Sequence, residues 1–310
     1  MQKKQVWIII LFLAIVCGSW GMLQSQKKMH PGGEQLIRML TQEGQVETVA
    51  LEEYLTGVVA AEMPAVFHEE ALKAQAIAAR TFAVKAIRVA RVTDPGYDVD
   101  TTTKTQAWVS DRQMYAKWGI LDYWRYHHKI AAAVQATRQE VLVMDGACID
   151  AVYFSSSGRK PTERAEEVWS ASRPYLINVT SAETEPLRFV QRATFSAQEI
   201  YAKLKLIGTP KPLASQDFEV VSRTAAGRVK TLAILGKVYP ATQIRTLFNL
   251  ASTDWEGEVR DGQVTLTIYG NGHAVGMSQY GANDLAVQGY LYQDILGHFY
   301  PGAKIEHNQG

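Results

Sequence analysis

Residues 51–64 read LEEYLTGVVAAEMP, and this stretch is more informative about the fold than any other part of the chain. Its apolar residues recur at the spacing of one helix face, at Leu51, Tyr54, Leu55, Val58 and Val59. Pro64 ends the pattern, because proline lacks a backbone N–H and clashes with the preceding helical turn. The sequence therefore predicts a short helix over residues 51–63, preceded by a short alternating strand at 46–50.

Two alanine-rich segments follow this helix along the chain. Residues 69–88 contain seven alanines, and a second alanine-rich helix is predicted at about 122–138. Alanine has the highest helix propensity, and its small side chain lets neighbouring helices approach closely. Both segments are therefore expected to form packed helices.

Three pairs of β-prone runs are predicted to form antiparallel hairpins. The pairs are 140–144 with 147–154 around Asp145-Gly146, 218–223 with 228–235, and 257–260 with 263–269 around Asp261-Gly262. An Asp-Gly pair favours the tight turns that join antiparallel strands. Helices are predicted at about 277–287 and 292–299. Because strands and helices do not alternate regularly, the predicted fold class is α+β, with antiparallel β-hairpins mixed with Ala-rich helices.

The N-terminal segment predicts one transmembrane helix ahead of this domain. Lys3 and Lys4 precede an apolar run at 6–23, which as a helix would be roughly 27 Å long. That length is close to the hydrocarbon core of a bilayer, about 30 Å thick. The expected organisation is listed from the N-terminus: a cytoplasmic segment 1–5, a signal anchor 6–23, a linker 24–45 and an exported domain 46–305, with a candidate β-rich subdomain at about 185–265. A cleaved signal peptide is the alternative interpretation.

Composition narrows the classes of function. The chain carries 32 Lys and Arg against 31 Asp and Glu, and its formal net charge of +1 gives no electrostatic reason to expect a nucleic acid partner. Its two cysteines, Cys17 and Cys148, do not make a disulfide framework. The adjacent His127 and His128 point in different directions on a helix. No metal site and no cofactor is therefore predicted.

Glu62 is the main candidate for acid–base chemistry. It follows an apolar stretch and comes just before Pro64, at the end of the predicted helix. The negative end of the helix dipole and apolar surroundings both disfavour a charged carboxylate. Both effects raise the pKa, which suits a general acid at neutral pH. On the pattern alone, an ordinary surface glutamate at a helix end stays open as an alternative.

Two other polar segments are candidates for ligand binding. Residues 155–158, Ser-Ser-Ser-Gly, follow the first predicted hairpin, where hydroxyl groups can bind a sugar or a peptide or simply form a turn. Ser156 as a nucleophile is a weak alternative, since no Gly-x-Ser-x-Gly elbow is present. Residues 270–281 hold four glycines around His273, which indicates unusual backbone angles or close backbone approach.

Several of these segments together resemble the stage II sporulation protein D family, also called the SpoIID/LytB domain. They are LEEYLTGVVAAEMP at 51–64, EALKAQAIAART at 70–81, FSSSG at 154–158 followed by Thr162-Glu163 and Glu167-Val168-Trp169, RTAAGRV at 223–229, and GHAVGMSQYGA at 272–282. The resemblance spans about residues 46–302. It departs from the family at Phe154 and Arg159-Lys160, which replace parts of a histidine- and glycine-containing block. A metal or charge role of that block is therefore not carried over.

The resemblance implies a peptidoglycan lytic transglycosylase that leaves 1,6-anhydro ends, with domain 46–305 as its catalytic domain. It places the single acid/base catalyst on Glu62. Motif positions that it implies as groove or supporting residues are Arg80, Ser155, Ser156, Ser157, Gly158, Glu163, His273, Ser278 and Gln279.

The resemblance also implies a biological setting. The expected substrate is peptidoglycan glycan without stem peptides, and the expected place is the space between the two membranes of a sporulating cell during engulfment. The expected partners are an amidase/endopeptidase, sporulation protein P, and a membrane protein, sporulation protein M. Two alternatives stay open: a hydrolase that uses Glu62 with Glu163, and a non-catalytic wall-binding activator of an amidase.

Overall fold

A computed structural model describes residues 34–308 except 103–104 and 170. Three predicted segments lie outside the described residues: the segment 1–5, the transmembrane span at 6–23 and the first part of the linker. In the part of the chain that is described, no helix is both long and apolar enough to cross a bilayer. The described residues from Ile37 onward form a compact unit.

Helices and strands are mixed along the described chain, which confirms the α+β class. The helices are α1 Leu51–Glu62, α2 Glu69–Thr93, α3 Asp111–Ala136, α4 Ala165–Trp169, α5 Ala197–Leu204, α6 Ala241–Phe248, α7 Gln279–Val287 and α8 Tyr292–Phe299. The strands are β1 Leu36–Leu40, β2 Val46–Ala50, β3 Val99–Asp100, β4 Glu140–Met144, β5 Ala147–Cys148, β6 Tyr153–Phe154, β7 Val190–Ser196, β8 Phe218–Arg223, β9 Val229–Ile234, β10 Lys237–Pro240, β11 Asp254–Arg260, β12 Gln263–Tyr269, β13 Met277–Ser278 and β14 Lys304–His307.

The first core lies around the alanine-rich helices. Helices α1 and α2 pack against each other and against α3, and the alanines of α2 are buried except for Ala86. Helices α7 and α8 and strand β4 cover the other side of α2. Small side chains allow this close helix packing, as the composition of α2 predicted.

A second core lies in the later part of the chain. It is formed by the antiparallel sheets β11-β12-β7 and β10-β9-β8 together with α5 and α6, and Trp255 is fully buried in it. The predicted hairpins β8–β9 and β11–β12 are both confirmed. This core lies in nearly the same range as the β-rich subdomain at 185–265, which itself stays a prediction.

The first predicted hairpin is only partly correct. Strand β5 pairs with β4 across the Asp145-Gly146 turn, but this pairing stops at Cys148. The Ile149 N–H still donates to the Leu142 carbonyl of β4 at 3.1 Å, and the chain then leaves the sheet, where the Asp150 N–H donates to the Tyr175 hydroxyl at 2.9 Å. Strand β6 lies beyond this point and pairs in parallel with β13.

Two other segments differ from expectation. The range 24–45, expected to be a linker, contains β1, in which Ile37 and Met39 are buried. The helix predicted at about 122–138 corresponds to the second part of α3, which follows Gly119. The first part, which begins at a capping box of Ser110 and Gln113, was not predicted.

Candidate active site

Glu62 is the last residue of α1 and is half-buried. Its Oε1 atom accepts a hydrogen bond from the Ala107 N–H at 3.2 Å. Burial raises the pKa of Glu62 above its ordinary value, although hydrogen bonds from Ala107 and from the Gln279 side chain act in the opposite direction. A raised pKa favours the protonated form of the carboxyl group, which is the form that a general acid needs.

Glu62 opens onto a cavity of about 480 Å³. The end of α1 and the chain after it form one side of this cavity, and α3 and the start of α7 contribute the others. Its aromatic and polar lining residues include Lys117, Trp118, Tyr126, Ser155, Phe189, Gln279 and Tyr280. Aromatic faces beside a few polar groups are typical of binding sites for small molecules and sugars.

A second cavity, of about 720 Å³, adjoins the first and shares Pro64, Val66 and Tyr280 with it. Together the two cavities form a depression that we call the groove. Tyr280 stands at their junction, where its ring meets Phe67 edge-to-face at 4.9 Å and the Arg188 guanidinium at 4.5 Å. The groove therefore consists of two cavities that adjoin at shared lining residues, an arrangement that suits a chain-like ligand.

Gly57 explains how the Ala107 N–H reaches Glu62. A Cβ atom at Gly57 would lie 2.2 Å from the Trp108 indole nitrogen, so only glycine lets Trp108 pack onto α1. The Val109 N–H also donates to the Gly57 carbonyl at 3.3 Å. These two contacts hold residues 105–110 against α1. The role of this loop was missed from the sequence, where Gly57 inside a helix was the available signal.

A buried polar cluster lies close to Glu62 on its protein side. The Gln106 side chain accepts from the Tyr54 hydroxyl and donates to the Tyr153 hydroxyl, each at 3.2 Å. Burial raises the pKa of both tyrosines, and the Glu62 charge raises them further. Both hydroxyl groups therefore stay neutral, so the cluster places no negative charge of its own beside Glu62.

The structure brings the two predicted polar segments together. Strands β6 and β13 pair in parallel, and the Ser156 and Asn271 backbones exchange hydrogen bonds at 2.8 and 2.9 Å. Gly158 has φ +65°, and a Cβ there would lie 3.0 Å from the Gly270 nitrogen. This close approach agrees with the glycine pattern in both segments.

Glu183 joins these segments and was missed from the sequence. Its carboxylate accepts hydrogen bonds from the Ser156 hydroxyl at 2.6 Å, the Ser157 N–H at 2.5 Å and the Ser278 hydroxyl at 2.7 Å. Ser155 and Gln279, the neighbours of these serines, line the cavity beside Glu62. Glu183 is thus a positioning residue for the groove, and a lone glutamate in a polar loop gave no sequence signal for this role.

Ser156 and Ser278 are buried behind the cavity rather than exposed in it. Only 2% of Ser156 is exposed, which argues against Ser156 as a nucleophile, and its hydroxyl group donates to Glu183. Ser278 caps α7 by accepting from the Gly281 N–H at 3.1 Å, and so fixes the start of the helix that carries Gln279.

Glu163 lies outside the cavity in a separate buried network. Its Oε1 accepts from the Thr224 hydroxyl at 2.6 Å and lies 3.4 Å from Arg228 Nη1. Arg228 also donates to the Ser157 hydroxyl at 2.7 Å. Burial raises the pKa of Glu163, against the opposing effects of Thr224 and Arg228. Only 1% of the residue is exposed, so Glu163 is placed to stabilise the fold rather than to contact a substrate.

Arg80 and His273 also lie outside the cavity. Arg80 is fully buried, forms a bidentate ion pair with Glu52 at 2.6 and 3.0 Å, and donates to the Val134 carbonyl at 3.0 Å, so it ties α1, α2 and α3 together. The His273 Nδ1 atom accepts from the Val275 N–H at 3.1 Å, and its ring packs on Trp169 at 5.0 Å. Burial lowers the pKa of His273 to about 4, so it is neutral at pH 7.

Among residues 34–308, outside the gaps named above, no group of three or more His, Cys, Asp or Glu side chains is arranged to hold a metal ion. The absence of a metal and of a cofactor stays a prediction.

Comparison with known proteins places this geometry in a family. Residues 40–144 match the SpoIID family, described as "Stage II sporulation protein", and this range contains Glu62 and the helices around it. The chain is 40% identical over 265 residues to stage II sporulation protein D of Bacillus amyloliquefaciens, covering 84% of this chain and 75% of that protein. It is 38% identical over 263 residues to stage II sporulation protein D of Bacillus subtilis (strain 168), with the same coverage of both chains.

This chain belongs to the stage II sporulation protein D family. A more distant relative of the family domain is a Bacillus subtilis (strain 168) protein named "Amidase enhancer", which is 28% identical over 305 residues, covering 81% of this chain and 40% of that protein. The resemblance seen in the sequence motifs is therefore confirmed at the level of the family.

Proposed function

We propose that this chain is a lytic transglycosylase of peptide-stripped peptidoglycan, with Glu62 as its single acid/base catalyst. The observation that carries the proposal is a carboxyl group with a raised pKa, half-buried at the wall of a groove formed by two adjoining cavities of about 480 and 720 Å³. Among the described residues that line the Glu62 cavity, Glu62 is the only carboxylate.

One carboxyl group is sufficient for this reaction. Glu62 first donates its proton to the glycosidic oxygen as the bond from N-acetylmuramic acid to N-acetylglucosamine breaks. The resulting carboxylate then takes the proton of the muramyl 6-hydroxyl while that oxygen bonds to the anomeric carbon. The net products are one free 4-hydroxyl and one 1,6-anhydro end, and no water is consumed. A raised pKa favours the first step, and the nearby hydrogen bonds from Ala107 and Gln279 stabilise the carboxylate between the steps.

The two-carboxylate hydrolase is less well supported. Glu163, the second carboxylate considered from the sequence, is buried in the network with Arg228. Glu69 lines the adjoining cavity, but its side chain is exposed and lies 3.8 Å from the Lys73 ammonium group. Inverting hydrolases need a second carboxylate that holds a water across the sugar from the acid.

Membership of the family supports a further proposal about the biological setting. We propose that the chain remodels the septal wall during engulfment in sporulation, from a single-pass membrane anchor with the groove outside the cytoplasm. An amidase/endopeptidase such as sporulation protein P would supply the stripped glycan, and sporulation protein M is the proposed membrane partner.

Product analysis tests the proposed chemistry. The full chain in detergent micelles is incubated with amidase-treated peptidoglycan, and the released fragments are examined by mass spectrometry. We expect anhydro ends, lighter by one water than reducing ends, from the wild type. Glu62→Gln should give almost none, and the matched variant Glu69→Gln, in the same groove, should keep cleaving. Reducing ends from the wild type would indicate a hydrolase instead.

A wall-binding activator is a second candidate, favoured by the similarity to the protein named "Amidase enhancer". In that case the wild type would release no glycan fragments by itself. It would raise the rate at which a purified amidase removes stem peptides, and Glu62→Gln would do the same.

A further inference from the structure

Helix α3 is folded back on itself at Gly119. Gly119 has φ +71° and interrupts the helical backbone. The His127 Nε2 and Asp111 Oδ1 atoms lie 3.5 Å apart, and the Tyr115 and Tyr123 rings lie 5.7 Å apart. Residues 111 and 127 would be about 24 Å apart along a continuous helix. The two arms, 111–118 and 120–136, therefore form an antiparallel helical hairpin with its tip at Gly119.

The tip of this hairpin presents large apolar side chains to solvent. Ile120 is 57% exposed, Leu121 84% and Trp124 67%. Their spacing places them together on the outer side of the second arm, since residues three and four apart are neighbours on a helix. An exposed apolar cluster at the turn of a helical hairpin is a candidate interaction surface.

The surrounding charges indicate which kind of surface the tip contacts. Residues 111–129 hold four Lys or Arg against two Asp. Arg112, Lys117 and Arg125 are exposed on the two arms, and Arg125 forms an ion pair with Asp122 at 2.8 Å, so Arg112 and Lys117 carry the excess positive charge of the exposed cations. Tryptophan with aliphatic residues at a tip, flanked by cations, is the combination that enters the interface of anionic lipid bilayers. Ile120 and Leu121 have no ring to stack on a sugar, so the composition favours lipid over glycan.

We propose that the α3 hairpin tip docks into the headgroup region of an anionic lipid bilayer. The proposal does not depend on the chemistry of Glu62. It adds a consequence to that chemistry, because Lys117 and Trp118, directly before the tip, line the Glu62 cavity. A docked tip would hold the groove next to the membrane surface, so that the glycan nearest the membrane is the strand within reach.

Depth-dependent quenching tests this docking in the full chain. A fluorophore is attached at Leu121→Cys, in a background where Cys17 and Cys148 are replaced by alanine, and the protein is reconstituted into phosphatidylglycerol vesicles with brominated acyl chains. The matched probe is Ile207→Cys, which is fully exposed and lies outside α3. The two probes are placed in otherwise identical full chains that are reconstituted in the same way, so any anchoring by residues 1–33 affects both.

We expect several-fold stronger quenching at position 121 than at 207, and less quenching in phosphatidylcholine or at high salt. In phosphatidylglycerol vesicles, adding Trp124→Ser to the Leu121→Cys chain should also reduce the quenching at position 121. Equal quenching of the two probes would overturn the proposal. So would a probe at 121 that responds to denuded glycan strands and not to brominated lipid, which would make the tip a sugar-binding surface.

Discussion

Glu62 and Glu163 are two carboxyl groups whose pKa is raised by the same cause, yet they occupy opposite kinds of site. Burial is the main cause at both. Glu163 is enclosed with Thr224 and Arg228, and only 1% of it is exposed. Glu62 is half-buried and forms part of a cavity wall.

The difference shows that a raised pKa does not by itself identify a catalytic acid. A general acid must also come within hydrogen-bonding distance of the substrate oxygen. Glu62 meets this condition because α1 ends at the cavity, whereas Glu163 stabilises the junction of the polar segments. Substitutions at Glu62 and Glu163 should therefore have different effects, and equal effects would show that the two residues do not have separate roles.

The largest expected effect is the loss of glycan cleavage in Glu62→Gln. The amide has nearly the same shape but cannot donate a proton to the leaving oxygen, so the rate should fall by about 10²–10⁴-fold. The measurement is the initial rate of anhydro-end formation on denuded glycan. Glu163→Gln is the matched variant, and per folded molecule it should cleave at close to the wild-type rate. An equal loss of rate in both variants would remove the distinction.

For stability we expect the reverse, with the loss in Glu163→Gln and not in Glu62→Gln. Glu163→Gln leaves the buried Arg228 without its carboxylate partner, so the free energy of unfolding should fall by about 3 kcal/mol. Urea denaturation followed by tryptophan fluorescence measures this change. Unchanged stability in Glu163→Gln would show that the network contributes little.

Glu62→Gln should instead stabilise the protein at neutral pH. Because the folded-state pKa of Glu62 lies above its ordinary value of 4.5, the folded protein binds more protons than the unfolded chain between these two values. Wild-type stability is therefore lost as pH rises through the raised pKa, and the neutral amide avoids that loss. Thermal unfolding should give a higher midpoint for the variant at pH 8, and little difference below pH 4. A lower midpoint at pH 8 would contradict this.

The smallest effect concerns the hydrogen bonds to Glu62. The Gln279 side chain lowers the pKa of Glu62 against the effect of burial, so Gln279→Leu should raise that pKa. The decline of kcat/KM at high pH should then move to higher pH, with a few-fold change in the maximal rate. Glu163→Gln should leave the position of the decline unchanged. A shift to lower pH in Gln279→Leu would show that Gln279 acts in another way.

Much of the local structure was predictable from residue patterns. The apolar spacing before Pro64 gave α1, and turn residues such as Asp261-Gly262 gave the hairpin β11–β12. These signals work because helix periodicity and tight-turn geometry depend on neighbours in the sequence.

Contacts between residues far apart in the sequence were harder to predict. The parallel pairing of β6 with β13 joins residues more than a hundred positions apart, and no local pattern encodes it. For the same reason Glu183 was missed, since its partners are Ser156, Ser157 and Ser278. The motif positions also did not distinguish Arg80, which binds Glu52 in the core, from Gln279, which lines the cavity. A motif shows that a residue type is required, but not which side of the site it occupies.

The most direct test compares the titration of Glu62 with the pH dependence of cleavage in the same protein. Carboxyl carbons labelled with ¹³C are followed by NMR, and the Glu62 signal is assigned as the one missing in Glu62→Gln. We predict one titration above the ordinary value of 4.5, at the pH where kcat/KM for anhydro-end formation begins to decline. A Glu62 carboxyl group that titrates at or below its ordinary value, or a rate that does not follow its titration, would contradict the account.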